Sequence, residues 1–107
     1  MREHQPLSPQ AFHILVALAG GDQHGYGIMQ DVAARTGGKV QLSAGTLYGA
    51  IQRLLEQGFI VELAGGNDRR RVYRLTATGR KAARAEAARL AELLEQARHY
   101  GLAPERG

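Results

Sequence analysis

Apolar residues recur at three- and four-residue spacing in four stretches of this chain and alternate in two short ones, a rhythm that predicts three helices, a β-hairpin and a fourth helix. The sharpest stretch is Leu42 to Gly58, LSAGTLYGAIQRLLEQG. Leu47, Ala50, Ile51, Leu54 and Leu55 form one apolar stripe there. Ser43 is the expected N-cap, because its hydroxyl can accept one of the first unpaired backbone N–H groups, and Gly58 is the expected stop. The opposite side carries Ala44, Gly45, Thr46, Tyr48, Gly49, Gln52, Arg53 and Gln57, with no acid before Glu56. Upstream, Ser8-Pro9 opens a helix whose apolar side is read as Phe12, Leu15, Val16, Leu18 and Ala19, ending at Gly20-Gly21. His13 within it reads as a packed or partly exposed histidine. GGDQHG is a turn-rich linker, and Ile28, Met29, Val32 and Ala33 stripe a short second helix that stops at Gly37-Gly38.

Downstream of Gly58, Phe59 to Ala64 and Arg71 to Leu75 are β-type runs separated by the turn-forming GGNDRR. In the first run Phe59, Val61 and Leu63 alternate with Ile60 and Glu62. From Thr78 to about Tyr100 the residues are strong helix formers. Ala83, Ala87, Leu90, Leu94 and Ala97 are spaced four, three, four and three along that helix, a heptad-type seam suited to a partner helix.

Two short helices joined by a connector, the second capped by Ser and polar at its tip, have the layout of a helix-turn-helix unit, and a hairpin directly after it is a wing. The predicted class is therefore mainly α with a small β-hairpin (α+β), a winged helix-turn-helix with a long C-terminal dimerisation helix. Residues 1–76 would form the DNA-binding unit and 77–107 the dimerisation helix and tail. On this reading Ser43, Ala44, Gly45, Thr46, Tyr48, Gln52 and Arg53 face a DNA groove, and Asn67, Arg69, Arg70 and Arg71 lie at or beside the wing tip, where arginines suit phosphates or a minor groove. His24 and Tyr26 are candidates for the DNA backbone, with Tyr26 equally a candidate for the core. A homodimer, paired through Ala83, Ala87, Leu90, Leu94 and Ala97, would meet an inverted-repeat operator in double-stranded DNA.

Charge sharpens this picture. The formal net charge is +4, and eight of the fourteen Lys and Arg residues fall between Arg69 and Arg89, against the single acid Glu86. At 107 residues the chain is one domain by length, small enough to gain from dimerisation. There is no cysteine, which removes disulfides and thiolate metal sites. The four histidines lack metal-ligand spacing, no nucleophile–base constellation is present, and the Gly-rich linker matches no nucleotide-binding fingerprint; no enzyme, metal or cofactor is expected. With no membrane-spanning run and no signal-peptide core in MREHQPLSPQ, the expected location is the cytoplasm. No tryptophan is present, and only six residues are aromatic.

HGYGIMQDV in the second helix, LSAGTLYGAIQRLLEQGFI through the third helix and first strand, and RRRVYRLTATGR beyond them resemble the PadR family of winged-helix transcriptional regulators, in order and spacing across about Ser8 to Arg89. The resemblance implies a homodimeric DNA-binding repressor, of the short form with a single C-terminal helix, that leaves DNA when a small molecule or other signal acts on the dimer. The family usually places proline after the Tyr of GTLY and often after the preceding Ser; this chain has Gly49 and Ala44 there. The competing reading is a winged-helix module that binds protein, without sequence-specific DNA binding.

Overall fold

The computed structural model describes residues 6–64 and 70–104. In order, the elements are α1 (Pro9–Ala19), β1 (Gln23–His24), α2 (Gly25–Arg35), α3 (Ala44–Glu56), β2 (Ile60–Glu62), β3 (Val72–Leu75) and α4 (Ala77–His99). Each helix start has a local cause. The Ser8 hydroxyl accepts from the Ala11 N–H at 3.1 Å, with Pro9 in the first turn, and Ser43 Oγ accepts from the Thr46 N–H at 3.2 Å. Thr76 Oγ1 accepts from the Gly79 N–H at 2.9 Å and donates to the Gly58 carbonyl at 2.7 Å. The stop of α3 is a Schellman turn: Gly58 takes φ 76°, its N–H donates to Leu55 O at 3.1 Å, and Phe59 N–H donates to Leu54 O at 3.0 Å.

The sheet has three strands in the order β1-β3-β2, antiparallel throughout. β2 and β3 are the expected hairpin, in the register Ile60 opposite Leu75 and Glu62 opposite Tyr73. The stretch read as a plain linker contributes β1, with Gln23 opposite Tyr73 and His24 opposite Val72. The alternation along β2 puts Ile60 in the core and Val61 in solvent. Side chains that share a strand face alternate, so placing Ile60 against α3 turns Val61 outward.

Ile14, Leu15, Leu18, Ile28, Val32, Leu47, Ile51, Leu54, Ile60 and Tyr73 make one core. α1 presents Ala11, Ile14, Leu15, Ala17 and Leu18 to it, while Phe12 and Val16 are half-buried and Ala19 is exposed. The helix is apolar nearly all round, so its periodicity did not select the inner face. α4 joins this body by its first turns only. Gly79 is pressed against Phe59, so closely that a Cβ there would lie 1.9 Å from the Phe59 carbonyl oxygen, and Ala83 packs on the core. Three residues on, Glu86 is buried; its carboxylate accepts from the Leu7 N–H at 3.3 Å and from Arg89. The Arg89 guanidinium, with the Leu7 N–H, holds that carboxyl below its ordinary range against the opposing effect of burial. Residues 87–96 are all exposed.

Candidate nucleic-acid interface

The buried stripe of α3 leaves the opposite side of the helix to solvent. Ser43, Ala44, Gly45, Thr46, Tyr48, Gln52 and Arg53 are all exposed there. Among them the internal bonds are few and local. The Ser43 hydroxyl donates to Thr46 Oγ1 at 3.1 Å, and Gln52 Nε2 reaches Glu56 Oε2 at 3.4 Å. The first turn contains no acid, so nothing there repels a polyanion.

On one flank Tyr48 crosses to α2 and covers Gly25, where an added Cβ would lie 2.3 Å from the tyrosine hydroxyl. His24, Tyr26, Tyr48, Arg70, Arg71 and the buried Tyr73 wall an open cleft of about 620 Å³ at that place. Tyr26, left undecided between core and DNA by the sequence, is 63% exposed. His24 is the N-cap of α2: its Nδ1 accepts from the Gly27 N–H at 2.9 Å, which requires the proton of a neutral ring to sit on Nε2. Tyr73 has its hydroxyl pushed above its ordinary titration range, first by burial and then by the Glu62 carboxylate.

The basic zone of the sequence divides in space. Arg70 is exposed and makes no ion pair among the described residues; Arg71 Nε stands 3.8 Å from Glu62 Oε2. Arg74, in contrast, forks onto Asp22, with Nε 3.1 Å from Oδ1 and Nη2 2.7 Å from Oδ2. That hydrogen bonding keeps the Asp22 carboxyl below its ordinary range and ties the turn before β1 to β3. Arg80, Lys81, Arg84 and Arg89 belong to α4, and Arg89 is paired with Glu86. Asn67 and Arg69, read as wing-tip contacts, lie outside the described residues.

Residues 14–85 of the 107 match the model of the transcriptional regulator PadR-like family. The chain belongs to that family. Among solved structures, this PadR-like protein is similar to a transcriptional regulator from Clostridium thermocellum, with 27% identity, 84% of this chain and 90% of the other covered, and a TM-score of 0.75. It is also similar to a PadR family transcription regulator from Clostridium difficile R20291, at 21% identity, coverage of 87% and 98%, and TM-score 0.73. A PadR-like transcription factor from Bacteroides fragilis matches at 22% identity, coverage of 84% and 87%, and TM-score 0.72; the latter two likenesses speak for the fold. No curated protein matches. PadR-like regulators are DNA-binding proteins without enzymatic activity, and no helix among the described residues is long and apolar enough to cross a membrane.

Two family positions take unusual residues in this PadR-like chain, and α3 forms regardless. Ala44 is its first residue under the Ser43 cap, and a Cβ at Gly49 would meet nothing closer than Arg53 Nη1 at 4.0 Å. Of the seam residues, Ala83 packs on its own core and Ala97 is half-buried, while Ala87, Leu90 and Leu94 are exposed, together with Leu93. Sequence patterning missed Lys39, Gln41 and Gln10, which stand beside Ser43 and Thr46 on the other flank of α3. Gln10 lies on the first turn of α1 and the other two in the connector before α3, and lone polar residues there carry no periodic signal that could have marked them.

Proposed function

We propose that this PadR-like chain is a homodimeric repressor that reads an inverted-repeat operator in the cytoplasm and is released from it by a signal acting on the dimer. The acid-free, fully exposed tip of α3, set beside a cleft walled by Arg70 and Arg71, carries the reading. Thr46, Tyr48 and Gln52 meet base edges in the major groove, and the wing meets the backbone. Dimerisation is supported by the far half of α4. Leu90, Leu93 and Leu94 are 38%, 54% and 42% exposed there, on the same face that Gly79 and Ala83 bury closer to the body. Two copies paired by this stripe place two α3 helices about a two-fold axis, with half-site centres about 10 base pairs apart or a multiple of that.

The test uses a duplex enriched from a random-sequence pool by the protein itself, titrated at several salt concentrations beside a scrambled duplex. Gln52→Ala narrows the gap between the two duplexes by about 1–3 kcal/mol while leaving the salt slope unchanged, if Gln52 reads adenine. Alanine at Arg69, Arg70 and Arg71 together flattens the slope of log affinity against log salt by up to about five, at about 0.9 per phosphate contact in a dimer. An unchanged slope in the arginine variant would remove the wing from the interface.

A further inference from the structure

The wing cleft lies on only one side of α3. Tyr48 and Thr46 are two positions apart, so at about 100° per residue they leave the helix about 160° from one another. They stand on either side of the strip formed by the exposed Gly45 and Gln52 and the half-buried Gly49. Thr46 belongs to the wall of a second open cleft, of about 400 Å³, with Gln10, His13, Lys39, Gln41 and Ser43. Among the described residues no carboxylate lines it. Two of its polar groups are already engaged: Gln41 Nε2 donates to the Gly38 carbonyl at 3.2 Å, and the Ser43 hydroxyl serves Thr46. Lys39 is exposed and has no ion pair among the described residues, Gln10 is exposed, and His13 is half-buried.

A helix is about 10–12 Å across with its side chains, and the major groove of B-DNA is about 12 Å wide. A helix seated in that groove therefore has a sugar–phosphate backbone against each flank. The wing cleft takes one of them.

We infer that the cleft of Gln10, His13 and Lys39 holds the other backbone, across the major groove from the wing, with Lys39 neutralising a phosphate. This assignment rests on the DNA-binding reading of α3 and extends it to a strand that the sequence left without a contact. It also gives His13 a place at the DNA, where the sequence suggested only a packed or partly exposed histidine.

The full chain is titrated against the enriched duplex, with Lys81→Ala as a control that removes the same charge from α4 outside both clefts. Lys39→Ala should lower the salt slope by about 0.9 per contact, which at about 0.15 M salt is roughly a fivefold loss of affinity for each contact. Lys81→Ala should stay near wild type. Single methylphosphonate substitutions then place the contact. The phosphate whose neutralisation no longer matters in Lys39→Ala should lie across the major groove from the one matched to Arg70→Ala. A silent Lys39→Ala, an equal loss in Lys81→Ala, or both phosphates on one side of the groove would overturn the assignment while the wild-type chain still binds. A wild-type chain that bound no duplex would instead overturn the DNA-binding reading, and the assignment with it.

Discussion

Gly79→Ala is expected to loosen the joint by which α4 is attached. An added Cβ would stand 1.9 Å from the Phe59 carbonyl oxygen, 2.8 Å from its carbon and 2.9 Å from Leu75 Cδ1. The carbonyl has little freedom to retreat. It accepts the Thr76 N–H at 3.0 Å, and the Phe59 N–H is held by Leu54 O in the turn that ends α3. Overpacking costs about 1–3 kcal/mol, and a strained or lost Thr76–Phe59 bond costs about 1–3 more. Alanine returns about 1 kcal/mol through helix propensity. The net loss is thus about 3 kcal/mol, and for a domain of this size each kcal/mol shifts Tm by about 4–8 °C, so Tm should fall by about 12–24 °C. Gly45→Ala supplies the opposite sign in the same molecule, since a Cβ there meets nothing within 4 Å; its Tm should hold or rise by a few degrees. Thermal unfolding followed by circular dichroism decides it. A Gly79→Ala protein melting within about 2 °C of wild type would refute the steric reasoning.

Leu90→Glu with Leu94→Glu should leave the monomer folded, because both side chains are exposed within it, yet weaken the proposed dimer by several hundredfold if each of four leucines contributes about 1 kcal/mol; sedimentation that still gave a dimer would place the interface elsewhere. The Glu86 carboxyl is held below its ordinary value of 4.5, chiefly by Arg89, so the unfolded chain takes up its proton first. Its stabilising effect is complete above that value and is lost as pH falls through the folded value. Glu86→Gln should therefore lower Tm at neutral pH and make its fall below pH 4.5 shallower, and parallel curves of Tm against pH would exclude this role. Gly25→Ala forces the end of the Tyr48 side chain aside by contact at 2.3 Å; since Tyr48 is half-exposed, Tm should change little while affinity for the enriched duplex falls, and undiminished affinity would show that the resting place of Tyr48 does not matter to DNA.

What could be read in the sequence followed the range of the interactions responsible. The starts at Ser8 and Ser43 and the stop at Gly58 depend on partners three to five residues away, and the structure puts them where the residues said. β1 depends on pairing Gln23 with Tyr73, fifty positions along, and two polar residues in a glycine-rich turn give no hint of it. In the sequence Glu86 is only the single acid of the basic zone, with nothing to mark it as buried. Its burial comes from the chain before α1 folding back so that Leu7 meets it, a contact spanning 79 residues. The exposed face of α3 was legible because burying Leu47, Ile51 and Leu54 fixes where Thr46, Tyr48 and Gln52 must point. The neighbours of that face, Gln10 and Lys39, arrive from other segments and were legible only in three dimensions.

The stripe that runs from Gly79 to Leu94 makes α4 a lever. Its 23 residues span about 34 Å, its root is wedged against Phe59, and Phe59 is itself the residue that closes α3. In the proposed dimer the separation of the two reading helices is consequently set by an angle inside each subunit. A rotation of about 5° at the root carries the far end about 3 Å, nearly the 3.4 Å rise of one base pair. A signal need never reach the DNA-facing surface: in that dimer, tilting the lever at its root would put the two helices out of step with the proposed repeat.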